Sequence, residues 1–415
     1  LKTNNTQTKL ILGLQHVLAM FGATVLVPFL TGLNPSIALL SAGIGTLIFH
    51  YCTKKIVPVF LGSSFAFIGA LTLILKEEGI ANVKGGVIAA GVVYVLMSGM
   101  VRYFGVEKIK SFFPPIVVGP IIMVIGLRLS PVALSMSGYK DGNFDPKSLI
   151  VALVVIATMI TVSILEKSFF RLVPILISVV LGYITAVALG MVNFTSLEEA
   201  SWFGFSDLAK KDLLTIPVFS MTAVFGIAPI ALVVFIEHIG DIATNGAVVG
   251  KDFFKNPGIT RTLLGDGLAT IVAGFIGGPA VTTYGENTGV LAVTKVYDPA
   301  ILRIAAVYAI LLGIVGKFGA VLQTIPTPVM GGVSIILFGM IAAVGVRTVV
   351  SAEIDFSHSR NLIIASLIFV LGIAIGEVNI PGSITLSGLT IAAFIGVFLN
   401  KILPADQLDP DPEGL

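Results

Sequence analysis

Glu286 sits in Thr282-Thr283-Tyr284-Gly285-Glu286-Asn287-Thr288-Gly289, which puts a carboxylate, an amide, two glycines and an aromatic ring into an otherwise apolar chain. A second carboxylate, Glu237, follows the apolar run Ala231-Leu232-Val233-Val234-Phe235-Ile236, and Asp241 comes four residues later. Residues four apart share one face of a helix. Two like charges one turn apart in a low dielectric resist ionising together, so one of this pair is expected to hold a proton near neutral pH. Ionisable groups at membrane depth are costly and usually mark a substrate or ion path. A structural ion pair with Lys or Arg is the competing reading, weakened because no basic residue is expected deep in any span. Carboxylates accept from ring N–H groups, and freed backbone N–H groups donate to carbonyls. With Phe65 or Tyr284 stacked on a ring face, such a set suits a planar heterocycle. It suits a simple anion badly, because the carboxylates repel it.

The elements that position these groups follow from composition. Hydrophobic residues make up 56% of the 415 residues and charged residues 12%, and mean hydropathy is +1.02. An ordinary soluble domain carries about 25% charged residues. The apolar runs recur with no soluble block between them, so one polytopic membrane domain over 1–415 is expected rather than several soluble ones. The net charge of +2 and the lack of a basic cluster exclude nucleic acid as a partner. The single Cys52 excludes an intramolecular disulfide. There is no nucleophile–base set, metal-ligand cluster or phosphate loop, so an enzyme is not expected. No cleavable signal is evident, and the first span can serve as the insertion signal.

Run lengths predict about fourteen spans, all helical apart from local breaks. The third, Val57–Leu75, carries Gly62-Ser63-Ser64 in its middle, and the tenth, Ala280–Val293, carries Thr282 to Glu286. Irregular backbone at that depth survives only when buried in protein or lining a cavity. With both termini on one side, that side's loops and tails hold 17 Lys and Arg against seven on the other, with Arg128 at a span end. The positive-inside rule then puts both termini in the cytoplasm. The longest external loop, 193–215, contains Trp202 and either lies along the membrane interface or is a solvated connector. The tail Pro404–Leu415 is polar and proline-rich and is expected to be disordered.

The halves repeat. Pro115, Gly119 and Gly126 recur as Pro328, Gly332 and Gly339, an offset of 213. Ser63-Ser64-Phe65-Ala66 is echoed by Thr282-Thr283-Tyr284-Gly285, an offset of 219. Half the chain then carries seven spans, an odd number, which inverts the second half relative to the first. Repeat one is expected over about 10–192 and repeat two over about 216–402. Inverted repeats place the site near the midplane, at interrupted segments in corresponding positions.

The run Glu286-Asn287-Thr288-Gly289-Val290-Leu291-Ala292-Val293-Thr294-Lys295 resembles the signature of the nucleobase–ascorbate transporter family, and Gln15-His16 resembles a second motif of that family. Leu18 to Pro28 and Leu61 to Phe67 resemble its bacterial uracil permease branch, and the likeness extends from about Leu12 to Lys401. The resemblance implies two inverted seven-span repeats, a core domain (about 10–104 and 216–318) and a gate domain (about 112–192 and 328–402). Spans three and ten would each be a short strand plus a half-helix. It also implies that Glu237 and Glu286 bind the base, that Phe65 packs on it, and that Ala23, Tyr284 and Gly285 line the site. Asn287 would help hold Glu286. The implied activity is proton-coupled import of uracil across the cytoplasmic membrane, by an elevator-like movement in a homodimer, with the proton as coupling ion and no cofactor or metal. Asp241, Glu237 and Glu286 are the candidates to carry the proton, and His16 and His238 could either join a relay or simply pack.

Two departures bear on the substrate. A bacterial uracil permease of that branch has His where this chain has Asp241, while other members of the family, purine transporters among them, carry Asp there. The same permease has Tyr where this chain has Phe338, which removes a hydroxyl near the site. A xanthine or uric acid carrier is therefore the alternative within the family. An anion exchanger or channel of the sulfate-permease type is the alternative of another class, although such sites favour anions through helix N-termini and the two glutamates argue against it.

Overall fold

The computed structural model describes residues 6–165, 170, 173–380 and 384–404. The proposed disorder of 405–415 and the charges of Lys2, Lys167 and Arg171 lie outside the described residues. The chain opens with α1 (Thr6–Thr31) and α2 (Pro35–Cys52), then β1 (Leu61–Ser63), a single 3-10 turn (Phe65–Phe67) and α3 (Ile68–Glu78). Next come α4 (Ile80–Phe104), the short α5 (Val106–Lys110), α6 (Pro115–Met136), a β2–β3 hairpin (Tyr139–Lys140, Asn143–Phe144), α7 (Pro146–Ile164) and α8 (Pro174–Ala188). Two short helices, α9 (Thr195–Glu199) and α10 (Asp207–Leu214), lead to α11 (Met221–Ile227), α12 (Ile230–Val249) and α13 (Ile259–Ile276). The rest is β4 (Val281–Thr283), α14 (Gly285–Thr294), α15 (Pro299–Ile314), α16 (Gly316–Gln323), α17 (Thr327–Ser351), α18 (Ser359–Ala374), a β5–β6 hairpin (Glu377–Ile380, Ile384–Ser387) and α19 (Gly388–Ile402).

Among the described residues, eight helices are long and apolar enough to cross a membrane, α11 and α12 counting as one of them. A ninth arises if α15 and α16, bent by 77° against each other, are one broken span; α8, α18 and α19 are shorter apolar helices. Start signals are local. Asn34, Asp145 and Asp298 each cap a helix whose first residue is proline. Such a cap satisfies an orphan N–H, and proline has no N–H to lose there.

The most extensive helix pairs are α6 with α17, α4 with α13, and α2 with α15. Small residues let these backbones approach closely, as expected where lipid provides no hydrophobic drive for association. At the α4–α13 crossing, a Cβ on Gly91 would lie 2.8 Å from the Gly267 carbonyl, and a Cβ on Gly267 would lie 3.0 Å from the Gly91 carbonyl. The loop before α11 is tied down by a buried lysine, one of the seven basic residues that the run lengths left in loops on the second side. Lys84 of α4 is fully buried and donates to the carbonyls of Asp212 (2.7 Å) and Thr215 (2.6 Å) at the end of α10. Trp202, in the same loop, is 71% exposed.

Because backbone rather than a flexible side chain faces Gly267, Gly267→Leu is expected to force α4 and α13 apart. The cost should be about 1–3 kcal/mol of stability or more, seen as a lower thermal midpoint of the detergent-purified protein.

Candidate functional site

The site is built where the two interrupted segments meet. β1 and β4 pair antiparallel with Leu61 opposite Thr283, Gly62 opposite Thr282 and Ser63 opposite Val281. The ladder is extended at both ends, by Tyr284 N–H to the Phe60 carbonyl (3.0 Å) and Ser64 N–H to the Ala280 carbonyl (2.9 Å). Neighbouring helices use up further strand groups. Thr46 of α2 accepts from Leu61 N–H at 2.9 Å, Thr270 of α13 donates to the Val281 carbonyl at 3.1 Å, and Ser63 donates to the Thr24 carbonyl of α1 at 3.1 Å. Buried backbone polar groups at this depth are therefore paired. Gly62 is required by the closeness of the two segments: a Cβ there would lie 2.3 Å from the Tyr284 ring.

From this ladder α3 and α14 run in opposite directions. At 1.5 Å per residue, their 11 and 10 residues span roughly 15 Å each, about half a bilayer core. The α14 N-terminus therefore opens in mid-molecule, with first-turn N–H groups lacking intrahelical acceptors and a positive dipole end. Gly285 and Gly289 are exposed on its face, and a Cβ on either would meet open space. Glu286 lies in the first turn of α14 and is half-buried.

Glu237 projects from α12 into accessible space, one turn before the half-buried Asp241. α12 packs on β4 and on α14, which places the side of α12 that carries Asp241 beside the segment that carries Glu286, although the two are remote in sequence. Asp241 accepts a hydrogen bond from Thr283 Oγ1 at 2.6 Å, which ties α12 to β4. Phe65 is half-buried and packs with the cluster of Val27, Ile68, Leu129 and Phe338 of α17. Ala23 of α1 and Tyr284 are buried together in a neighbouring apolar cluster, and the Tyr284 hydroxyl donates to the Ser63 carbonyl at 2.9 Å.

The Asn287 amide donates to the His16 carbonyl of α1 at 3.0 Å and lies 3.1 Å from His16 Nδ1, which anchors α14 to α1. His238 turns away from the open space, toward Asp266 and Thr262 of α13. Sequence reasoning passed over Asp266. The signal was there, since Asp266 is an acid inside an apolar run, as Glu237 is. Among the described residues no group of acids, His and Cys could hold a metal ion.

Thr283→Val removes the hydrogen bond to Asp241. A bond to a charged group contributes about 1.5–3 kcal/mol, so ligand affinity is expected to fall roughly tenfold or more, with the thermal midpoint little changed, as measured by calorimetry and thermal shift on the same preparation.

Residues 7–380 match the model of a permease family, Xan_ur_permease. The chain is 44% identical to the uracil permease of Bacillus caldolyticus, over 95% of this chain and 91% of the relative. It is 42% identical to that of Bacillus subtilis (94% and 91%) and 41% identical to that of Escherichia coli K12 (94% and 90%). Among solved structures, it resembles the transmembrane domain of the cyanobacterial bicarbonate transporter BicA, with TM-score 0.64, 16% identity and coverage of 97% of this chain and 98% of that one. It also resembles the murine anion transporter Slc26a9 in its inward-facing state, with TM-score 0.71, 12% identity and coverage of 96% and 68%. At these identities the two likenesses concern fold alone. The family match covers most of the chain and the relatives match nearly end to end: the chain belongs to this permease family and is a multi-pass membrane transporter, not an enzyme.

Proposed function

We propose that this permease is a proton-coupled uracil importer of the cytoplasmic membrane, working by alternating access. The observation that carries the reading is the meeting of Glu237 and Glu286 at the open N-terminus of α14, with Phe65 alongside. Ring N–H groups of uracil donate to the carboxylates, its carbonyls accept from first-turn N–H groups, and Phe65 covers a face. The names of the full-length relatives support uracil over other bases. The anion alternative has the fold in its favour but not the site, where among the described residues Glu237, Asp241 and Glu286 form no ion pair with lysine or arginine.

The transport cycle follows from charge. Outward-facing, the site takes up a proton and then uracil. The loaded site is closer to neutral, and each unpaired charge at the midplane costs several kcal/mol, so the loaded form crosses the barrier more readily than the empty charged one. Release of base and proton inside resets it.

The moving parts are two inverted repeats of seven segments, fourteen in all, with segments three and ten formed by β1–α3 and β4–α14. Helix packing supports this division. Exchanging the halves turns the α4–α13 pair into α15–α2, α6–α18 into α17–α7, and α1–α3 into α12–α14, while α6–α17 and β1–β4 map onto themselves; all of these contacts occur. The core comprises segments one to four and eight to eleven, and the gate comprises the rest. Both termini are cytoplasmic, and the working unit is a homodimer in the lipid bilayer.

Glu286→Gln keeps the shape but gives up the charge that accepts from the base. Breaking a charge-assisted hydrogen bond should weaken uracil binding about ten- to a hundredfold and abolish uptake into proteoliposomes, with the protein still monodisperse. Normal uptake by this variant would sink the assignment. Unlabelled xanthine is expected not to displace labelled uracil; full displacement would move the substrate to purines, as Asp241 in place of His would then explain.

A further inference from the structure

The loop between α8 and α11 is built unlike a solvated connector. Lys84, buried in α4, donates to the carbonyls of Asp212 (2.7 Å), Leu213 (3.3 Å) and Thr215 (2.6 Å) at the end of α10. Last-turn carbonyls have no intrahelical partner, and water serves them where a helix ends in water. Burying an ammonium group to serve them instead is costly. It fits a helix end held where water is scarce. Other parts of the loop backbone are turned inward too. Val218 N–H donates to the Ala81 carbonyl of α4 at 2.9 Å, and Gly204 N–H donates to the Ile314 carbonyl of α15 at 2.9 Å. The Trp202 carbonyl accepts from Gly316 N–H at 3.1 Å, and Lys317 of α16 donates to the carbonyls of Leu197 and Glu198.

The side chains do the reverse. Trp202 is 71% exposed, Phe203 79%, Leu214 82% and Ile216 79%, and Leu208 and Phe219 are exposed as well. A single exposed apolar residue needs no explanation, but so many on one short segment mark a contact surface. The level of the segment identifies what it contacts. Val218 is bonded to the first turn of α4. Ser220 donates to the Glu78 carboxylate at the end of α3, and its Oγ accepts from Ala223 N–H to cap α11. Lys76 and Glu77, exposed on the last turn of α3, mark the water side. Phe219 therefore stands where an apolar span meets its charged end, the depth at which aromatic side chains collect in membrane proteins. The apolar surface runs on into the spans through Met221 and Phe225 of α11 and Phe275 near the end of α13, all exposed.

We propose that residues 202–219 form an interfacial strap, with Trp202, Phe203, Leu214, Ile216 and Phe219 seated among phospholipid headgroups and the upper acyl chains. Lys211, exposed on the last turn of α10, lays its stem on this surface and reaches the lipid phosphates with its ammonium group. The strap is bonded to α4, α15 and α16, so it sets the depth of these helices in the bilayer. In the division of segments proposed above, α4 and α15 belong to the core, which makes the core the body held at this interface.

Trp202 is the only tryptophan in the chain, so its emission reports the strap alone. The test reconstitutes the full chain in phosphatidylcholine vesicles whose acyl chains carry bromine either near the headgroup or near the methyl end, and adds iodide to the water in a parallel measurement. The expected result is quenching by shallow bromine at least about twofold stronger than by deep bromine, with iodide quenching at least about twofold weaker than for a free tryptophan amide. Full iodide quenching with no effect of bromine makes the loop a solvated connector and overturns the strap. Shielding from both bromine and iodide puts Trp202 under another protein surface, such as a second copy of the chain, and overturns it equally. The measurement needs no variant, so misfolding does not blur it. It reads neither uracil nor protons, so its outcome is separate from that of the transport assignment.

Discussion

The structure depends on one constraint, that a peptide group at membrane depth must be hydrogen-bonded inside the protein. Two helices stop halfway across the molecule, and stopping exposes backbone. The three-residue strands β1 and β4 solve this by pairing with each other, extended by Phe60, Ser64, Ala280 and Tyr284. Hydroxyls from α1, α2 and α13 take up further groups. Once the ladder is satisfied, the N-terminus of α14 can be left open where a ligand needs it. An isolated pair of such short strands would be marginal in water; here the helices around it supply the burial.

The second consequence is electrostatic. Acids stand on α12 and on the two helices packed against it, Asp266 on α13 and Glu286 on α14, and among the described residues none of them forms an ion pair with lysine or arginine. Like charges brought close in a low dielectric resist ionising together. Hydrogen bonds set which acid does what. Asp241 is tied to β4 through Thr283, Asp266 is enclosed with His238, and Glu237 alone of the α12 and α13 acids projects into open space. The fold is shared with a bicarbonate transporter and an anion transporter, so the fold by itself does not dictate the cargo.

Much of this was legible in the chain. The apolar runs marked every long helix, because a bilayer needs about 20 apolar residues to cross it. Gly62-Ser63-Ser64 and Thr282 to Glu286 marked the breaks, because glycine and hydroxyl residues interrupt an apolar run. The acids Glu237, Asp241 and Glu286 stood out because charge inside such a run is rare. The partners of those residues were not legible. Nothing in the local sequence pairs Asn287 with His16, some 270 positions away, or turns His238 from its neighbour Glu237 toward Asp266. Lys84 read as a loop residue, yet it is buried against the end of α10, 128 positions on, where three carbonyls replace its water.

The sequence by itself determined the membrane class, the approximate positions of the long apolar helices, the two broken segments and the acids Glu237, Asp241 and Glu286. Each of these is a local property: the length of an apolar run, a cap, a glycine, the cost of a charge. Only the tertiary structure decided which acids share a space, which face of α12 meets the ligand and which meets α13, and that the two broken segments close each other's hydrogen bonds. These depend on contacts between residues some 220 positions apart, such as Tyr284 with Ser63. No local periodicity encodes the rotation of one helix against another, because that rotation is set by side chains packing across the interface.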